Sequence, residues 1–225
     1  MPVLSLDTSG AVAVALVDDS GELLARRSDD QQRHHAELLA PMVDAVLAEA
    51  GVAPSDLTAV VVGTGPAPFT GLRVGLVTAR TLGLALGVPV LGVPSLDAIA
   101  VAAARHAAVG TLVLVATDAR RREVYSSTYR VDAPGEVTVV DEPQVGAAAL
   151  LEPAPGTLVV GRGARLYAHD LGDPRVTDDL LDPDPADLAR LAITRRSAGA
   201  EQAPEPLYLR RPDAVPSAGA KRVLG

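Results

Sequence analysis

Cysteine is absent from this 225-residue chain, and aromatic residues are scarce, with one Phe, four Tyr and no Trp. Without cysteine, the chain forms no disulfide, holds no zinc through thiolates and performs no thiol catalysis. The shortage of aromatic rings also disfavours extended platforms for stacking single-stranded bases. Lysine occurs once, at Lys221, so lysine-based catalysis has a single candidate, close to the C-terminus.

An excess of basic residues is missing as well, because the formal net charge is −8. Residues 1–110 carry 6 basic and 11 acidic side chains, and residues 111–225 carry 14 and 17. Neither half therefore has the positive field expected of an autonomous nucleic-acid-binding protein.

Signals for secretion or membrane insertion are not found either. The N-terminus has no basic segment and reaches Asp7 too early for a signal peptide. The longest apolar stretch, residues 74–96, is interrupted by Arg80 and Pro89, which disfavours a spanning helix. We therefore expect a soluble, cytoplasmic protein with no membrane partner.

Hydrophobic periodicity and turn residues predict an α/β protein. Strands are expected over residues 3–6, 11–17, 22–27, 57–63, 88–93, 111–117, 123–130 and 157–161. Helices are expected over residues 34–50, 70–86, 96–106 and 185–196, with Pro41 kinking the first or delaying its start. Thr70 and Ser95 are candidate N-caps. The stretch from residue 131 to 156 is rich in loop-forming residues.

The order of strand, Asp-containing turn and strand occurs twice, with Asp7 and Asp118 placed 111 positions apart. We interpret this spacing as an internal duplication that gives two lobes. The predicted division is an N-terminal lobe over 1–108, a smaller C-terminal lobe over 109–210, and an extended or disordered tail over 211–225. A single doubly wound domain with a decorated C-terminus is the alternative.

Each Asp turn has two interpretations. A strand-end carboxylate followed by small residues can hold a hydrated cation and a phosphate, which makes Asp7, Thr8, Ser9, Asp118 and Arg120 candidates for a nucleotide or anion site. Alternatively, each Asp caps its own turn by bonding to the backbone. The sequence alone does not decide between them. No set of histidines has a spacing suited to a metal site.

The segment over residues 65–73 (GPAPFTGLR) is the most constrained part of the chain, with two prolines and the only Phe. The helix that follows carries Gly71, Gly75, Ala79 and Gly83 at intervals of four, which predicts a strip of small residues on one face. Close packing against the protein's own sheet and close packing against another subunit both explain such a strip. We favour the second, because the neighbouring helix over 34–50 has a broad apolar face.

Six segments, taken in order along nearly the whole chain, resemble the TsaB (YeaZ) family of bacterial tRNA threonylcarbamoyladenosine biosynthesis proteins. They are residues 4–9 (LSLDTS), 34–41 (HHAELLAP), 65–75 (GPAPFTGLRVG), 94–100 (PSLDAIA), 118–125 (DARRREVY) and 206–210 (PLYLR). The usual form of the third segment is GPGSFTGLR, so Ala67 and Pro68 depart from it.

The resemblance implies an actin/Hsp70/sugar-kinase type of fold (ribonuclease H-like) in two lobes, and a glycoprotease-like classification. It also implies a non-catalytic subunit that acts with a TsaD-like catalytic paralogue and a TsaE-like ATPase to attach threonylcarbamoyl to the adenosine beside the anticodon of tRNA. No cofactor is expected on this chain alone, since ATP and a metal enter through the partners, and tRNA binds only through the complex.

The partner surface implied by the resemblance lies on the first two helices. Its candidate residues are His34, Leu38, Leu39, Met42, Val46, Phe69, Gly71, Leu72, Gly75, Ala79 and Gly83. The same apolar surface predicts a homodimer when the chain is free. TsaD-like proteins bind metal through paired histidines, and the matching residues 95–104 contain no histidine. No catalytic or metal-binding residue is therefore assigned.

Two other functions remain open at this point. A stand-alone ATP- or metal-dependent enzyme would use Asp7 and Asp118 to hold a magnesium nucleotide. Direct tRNA binding through Arg120, Arg121 and Arg122 is a weaker hypothesis, because both halves of the chain are acidic.

Overall fold

Two mixed β-sheets, each flanked by helices, make up the computed structural model, which describes residues 2–29, 35–172, 174 and 176–210. The first sheet contains β1 (Val3–Asp7), β2 (Val12–Val17), β3 (Leu23–Asp29), β4 (Ala59–Gly63) and β5 (Val90–Val93). The second contains β6 (Leu112–Asp118), β7 (Glu123–Ala133), β8 (Glu136–Ala147) and β9 (Leu158–Val160). The helices are α1 (His35–Ala50), α2 (Phe69–Leu86), α3 (Ser95–Ala104), α4 (Arg162–Leu166) and α5 (Pro185–Ser197).

The first sheet has the strand order β3-β2-β1-β4-β5. Strand β1 pairs antiparallel with β2 and parallel with β4, which pairs parallel with β5. Every residue of β1, β2 and β4 is buried. Helices cover both faces of these strands, so their residues, apart from Ser5 and Asp7 of β1, are apolar or glycine instead of alternating with polar residues.

Alternate residues of β1 face two different cores. Leu4 and Leu6 pack with the apolar residues of α1 and α2, while Val3 packs on the opposite face with α5 and Ala98 of α3. The sheet is therefore the middle layer of a three-layer lobe. In the described part of the chain, no helix combines the length and the apolarity needed to cross a bilayer.

The second sheet has the order β8-β7-β6-β9, with α3 against one face and α4 against the other. Strands β6 and β7 repeat the antiparallel pairing of β1 and β2, and β9 joins β6 in parallel as β4 joins β1. The expected recurrence of strand, Asp turn and strand is thus present. The stretch over residues 131–156, whose fold the sequence did not resolve, begins with the long hairpin of β7 and β8, which ends at Ala147.

The C-terminal part of the chain returns to the first lobe. Helix α5 packs its apolar side on the five-stranded sheet, and the segment after it runs along the sheet edge. There, Gly92 N donates to the carbonyl of Gln202 (2.9 Å), and Leu207 N donates to that of Thr64 (2.9 Å). A C-terminal lobe made of residues 109–210 is therefore a wrong division, since residues 185–209 complete the first lobe. The predicted tail, residues 211–225, lies outside the described residues.

Three local expectations at helix ends are also corrected. Helix α1 begins at His35 and includes Pro41, so the proline does not delay its start. Helix α2 begins at Phe69, with Pro68 at the N-cap position, so Thr70 is not the cap. Ser95 is the first residue of α3, and its hydroxyl bonds elsewhere.

A buried polar network joins the second sheet to the two helices that cross between the lobes. The Tyr129 hydroxyl of β7 donates to Asp97 Oδ1 of α3 (2.8 Å), and Arg195 of α5 donates to Asp97 Oδ2 (2.6 Å). Burial and the negative charge of Asp97 raise the pKa of Tyr129, so this hydroxyl keeps its proton.

Removing this hydroxyl should weaken the contact between the lobes. We expect Tyr129→Phe to lower the free energy of unfolding by about 1–2 kcal/mol, because the buried carboxylate of Asp97 loses one donor and keeps Arg195. Chemical denaturation beside a Tyr208→Phe control, whose hydroxyl is exposed, measures the effect. Equal stability of the two variants would contradict it.

Candidate functional site

A cleft of about 430 Å³ lies between the lobes, beside the turn that follows β1. Thr8 and Ser9 line it from the first lobe, and Asp118 and Arg120 line it from the second. The structure thus brings four of the five predicted nucleotide or anion residues to one cavity. The fifth, Asp7, does not line it.

Asp7 joins three backbone segments inside the first lobe. Its Oδ1 accepts hydrogen bonds from the backbone N (2.7 Å) and the hydroxyl (2.6 Å) of Ser9, and its Oδ2 accepts from the Ser95 hydroxyl (2.6 Å). The Ser95 oxygen in turn accepts from Gly65 N (3.1 Å). Gly63 lies so close that a Cβ there would overlap Asp7 Oδ2.

The magnesium-nucleotide hypothesis needs Asp7 and Asp118 to face the same cleft, and the structure does not place Asp7 there. Its side chain is buried and both of its oxygens bond inside the lobe. The turn-capping interpretation holds for both residues, because Asp118 Oδ1 accepts from Arg120 N (2.8 Å) just as Asp7 accepts from Ser9 N.

The ionisation of Asp7 should be visible in the pH dependence of stability. Burial raises the pKa of this carboxyl above its ordinary value of 3.8, and this outweighs the hydrogen bonds that lower it. A raised native pKa means that the contribution of Asp7 to stability is fully present below the ordinary value and is lost as pH rises through the native value.

We therefore expect the unfolding free energy of the wild type, relative to that of Asp7→Asn, to fall as pH rises from 4 towards neutrality. Denaturant titrations of both proteins at several pH values measure this difference in unfolding free energy. The contributions of the other titrating groups are the same in both proteins, so they cancel in the difference. A difference that stays constant, or that grows with pH, would contradict the raised pKa.

The first-lobe side of the cleft is already occupied by protein groups. The Thr8 hydroxyl donates to Gly71 O (2.8 Å) and accepts from Gly75 N (3.1 Å), so it serves the start of α2. Asp182 approaches Gly10 so closely that a Cβ at Gly10 would overlap its carboxylate. A phosphate entering the Asp7 turn would therefore meet a negative charge.

Arg162 holds that carboxylate in place. Its Nε donates to Asp182 Oδ1 (3.0 Å) and its terminal nitrogen to Asp182 Oδ2, which makes a two-point pair at the floor of the cleft. No local sequence pattern predicted this pair, because the two residues lie 20 positions apart in loop-rich sequence.

Most of the predicted partner-surface residues lie inside the first lobe. Those that are buried are Leu39, Val46, Leu72, Gly75, Ala79 and Gly83, and those that are half-buried are Leu38, Met42 and Gly71. Phe69 is exposed. His34 lies outside the described residues.

The strip of small residues on α2 faces the protein's own sheet, which corrects the interpretation that we favoured from the sequence. A Cβ at Gly75 would meet Thr8 Oγ1, and one at Gly83 would overlap the Val90 side chain of β5. These glycines let α2 approach the sheet closely, so they are explained without another subunit.

The sides of α1 and α2 that face away from the sheet carry other apolar residues, and these are exposed. On α2, Val77 and Leu84 are two turns apart and are 63% and 86% exposed. On α1, the exposed residues include Ala40, Pro41 and Ala48. We call these five residues the outer helix face. Because stabilisation follows the apolar area that is buried, a valine or leucine side chain this exposed contributes little to the stability of the fold.

A second cavity, of about 280 Å³, lies next to the cleft at the start of α2. Phe69 and Tyr208 pack their rings 5.3 Å apart at its rim, and the Arg73 guanidinium lies 3.6 Å from the Phe69 ring centre. Arg73 Nε also donates to the Tyr208 hydroxyl (3.1 Å). Sequence analysis did not single out Arg73 or Tyr208, which are separated by 135 positions.

Comparison with known proteins identifies the family. The family model described as TsaD, tRNA N6-adenosine threonylcarbamoyltransferase, matches residues 22–171. The TsaB protein of Escherichia coli, named as a tRNA threonylcarbamoyladenosine biosynthesis protein, is 31% identical, covering 93% of this chain and 95% of the relative. The chain belongs to the TsaB (YeaZ) family.

Two further matches agree. The uncharacterized protein Rv3421c of Mycobacterium tuberculosis is 43% identical, over 96% of this chain and 95% of that protein. The solved structure of YeaZ from Pseudomonas aeruginosa superposes with a TM-score of 0.78 at 32% identity, covering 92% of this chain and 99% of that one. The predicted fold class, an α/β protein of two lobes with mixed sheets and flanking helices, is confirmed.

The departure of this chain from the usual TsaB motif is structurally mild. Ala67 has a negative φ, so a glycine is not required there, and its buried carbonyl accepts from the Tyr125 hydroxyl (3.4 Å). Pro68 stands just before α2 with φ −57°, a value that a proline ring favours. The substituted pair thus fits the local backbone of the motif.

Proposed function

We propose that this chain is a non-catalytic subunit of the machinery that makes threonylcarbamoyladenosine in tRNA. Its relatives in E. coli and Bacillus subtilis are named for that biosynthesis. The feature of the molecule that supports a subunit role is the outer helix face, where Val77 and Leu84 project from a helix whose opposite side is fully packed. Apolar side chains seven residues apart lie on one side of a helix, and such a spacing is typical of a helix that docks on another protein.

The residues that would carry catalysis argue against independent activity. Asp7 is committed to the fold, and α3 has the sequence SLDAIAVAAA, without histidine, where the catalytic paralogues have paired metal-binding histidines.

In this proposal the partner is a TsaD-like paralogue, and a TsaE-like ATPase joins the complex. ATP and metal enter through those partners, and tRNA enters through the complex. A homodimer through the same face is the form of the free chain.

Reconstitution from purified components tests the proposal. TsaD-like and TsaE-like proteins from the same organism are combined with ATP, threonylcarbamoyl donor and unmodified tRNA, with and without this chain. We expect modified adenosine only in the mixture that contains this chain, and near-equal amounts of this chain and the TsaD-like protein in the isolated complex. Full modification in its absence, or no association, would refute the proposal.

A further inference from the structure

The cavity at the start of α2 concentrates residue types that the chain otherwise lacks. Three of its five aromatic residues, Phe69, Tyr125 and Tyr208, line this one space. Phe69 and Tyr208 remain 39% and 42% exposed, whereas Tyr125 is buried at its wall. More than half of the aromatic rings of the chain are thus grouped around one open cavity.

The charged residues that line the same cavity are all arginines: Arg120, Arg121 and Arg210. Arg120 is paired with Asp118 (3.2 Å), and Arg210 with Glu123 and with the carbonyl of Ala119 (3.0 Å). The cavity thus gathers three guanidinium groups on the surface of an acidic protein, and the guanidinium group is the side chain best suited to pair with a phosphate.

The backbone that carries the arginines is unusual. Arg120, Arg121 and Arg122 have φ values of 65°, 56° and 63°, and the hairpin is closed by Glu123 N donating to Arg120 O (2.9 Å). Left-handed backbone costs a residue other than glycine about 1 kcal/mol or more. Turns of this geometry normally use Asn and Gly. Three consecutive arginines are thus kept at a position where their backbone is unfavourable, which points to a use for their side chains.

We propose that this cavity, which we call the arginine–aromatic pocket, binds one unpaired nucleotide of the tRNA, with the base against Tyr208 and the phosphate at Arg120 and Arg121. The inference rests on the proposed function for the identity of the RNA. A free nucleotide also carries a base and a phosphate, and the experiment below distinguishes a nucleotide of the tRNA from a free one. Stacking on a ring and pairing with arginine are sequence-tolerant, as a subunit serving several tRNAs requires.

The test uses the assembled complex and a fluorescently labelled, unmodified tRNA transcript. We expect Tyr208→Ala and Arg121→Glu each to raise the Kd for tRNA by about fivefold or more, and Arg121→Glu to flatten its salt dependence. Tyr208→Phe keeps the ring and should bind like the wild type. Arg130→Glu, at an exposed arginine of β7 away from the pocket, is the charge-matched control and should have a smaller effect.

A second arm measures binding of AMP and ATP to the isolated chain and to the same variants. Loss of free-nucleotide binding in Tyr208→Ala, with tRNA binding intact, would assign the pocket to a free nucleotide and overturn the RNA proposal. Unchanged binding of both ligands in both pocket variants would overturn the pocket as a nucleotide site. Capture of the TsaD-like partner by each variant is recorded in parallel, so failure of the complex itself is distinguished from failure of the pocket.

Discussion

Replacing Leu84 by aspartate should reduce capture of the TsaD-like partner by at least tenfold and leave the fold intact. The Leu84 side chain is 86% exposed, so the charge costs the isolated chain nothing, whereas in the complex it would be buried without a counterion. Val77→Asp, two turns earlier, should act in the same direction. Both substitutions should also weaken the homodimer that we propose for the free chain.

The matched control is Leu150→Asp, a leucine that is 81% exposed on the second lobe. Co-purification and size-exclusion chromatography, with circular dichroism to verify folding, measure the three variants. Partner capture equal to wild type in both Leu84→Asp and Val77→Asp would mean that the outer helix face is not the interface. Substitutions at Leu39 or Gly75 cannot serve this test, because both residues are buried and report on folding instead.

Among the glycines that the structure describes, Gly63 should be the one whose replacement by alanine destabilises the protein most. The added Cβ would overlap Asp7 Oδ2 and crowd the Ser95 hydroxyl (2.7 Å), and all three groups are buried. Overpacking of this kind, together with disruption of a buried hydrogen-bond network, should cost roughly 3 kcal/mol or more. For a chain of this length, that corresponds to a fall in Tm of about 6–12 °C.

Gly146→Ala is the control, because Gly146 is also a strand glycine and a Cβ there would meet nothing within 4 Å. Thermal unfolding of the two variants should separate them clearly. In an Asp7→Ala background the clash with the carboxylate disappears, so the cost of Gly63→Ala should shrink. Equal costs in both backgrounds would show that the damage has another origin.

The secondary-structure elements that depend on local residue spacing could be predicted from the sequence. The apolar runs that became β1, β2 and β4, the turns at Asp7 and Asp118, and the periodic helices were all visible from spacing alone. Strand β8 was missed because it is an edge strand exposed along most of its length, so it carries little apolar alternation and includes Pro143.

Side-chain roles at the candidate sites were harder to predict than the elements. Glycines 75 and 83 could contact either a sheet or a subunit, and only the path of α2 across β1 and β5 decides which. Asp7 carries the same turn signal whether it faces solvent or the interior. Its burial depends on Ser95, which lies 88 positions later, so no local pattern reveals it.

Helix α5 has a consequence for synthesis of the protein on the ribosome. The apolar face of β1, complete at residue 7, is covered by a helix that begins at Pro185. At a synthesis rate of about 5–20 residues per second, roughly ten seconds or more pass between the synthesis of β1 and that of α5. During that interval the nascent first lobe exposes an apolar sheet surface, which is the kind of surface that chaperones bind, and it reaches its three-layer form only after α5 has been synthesised.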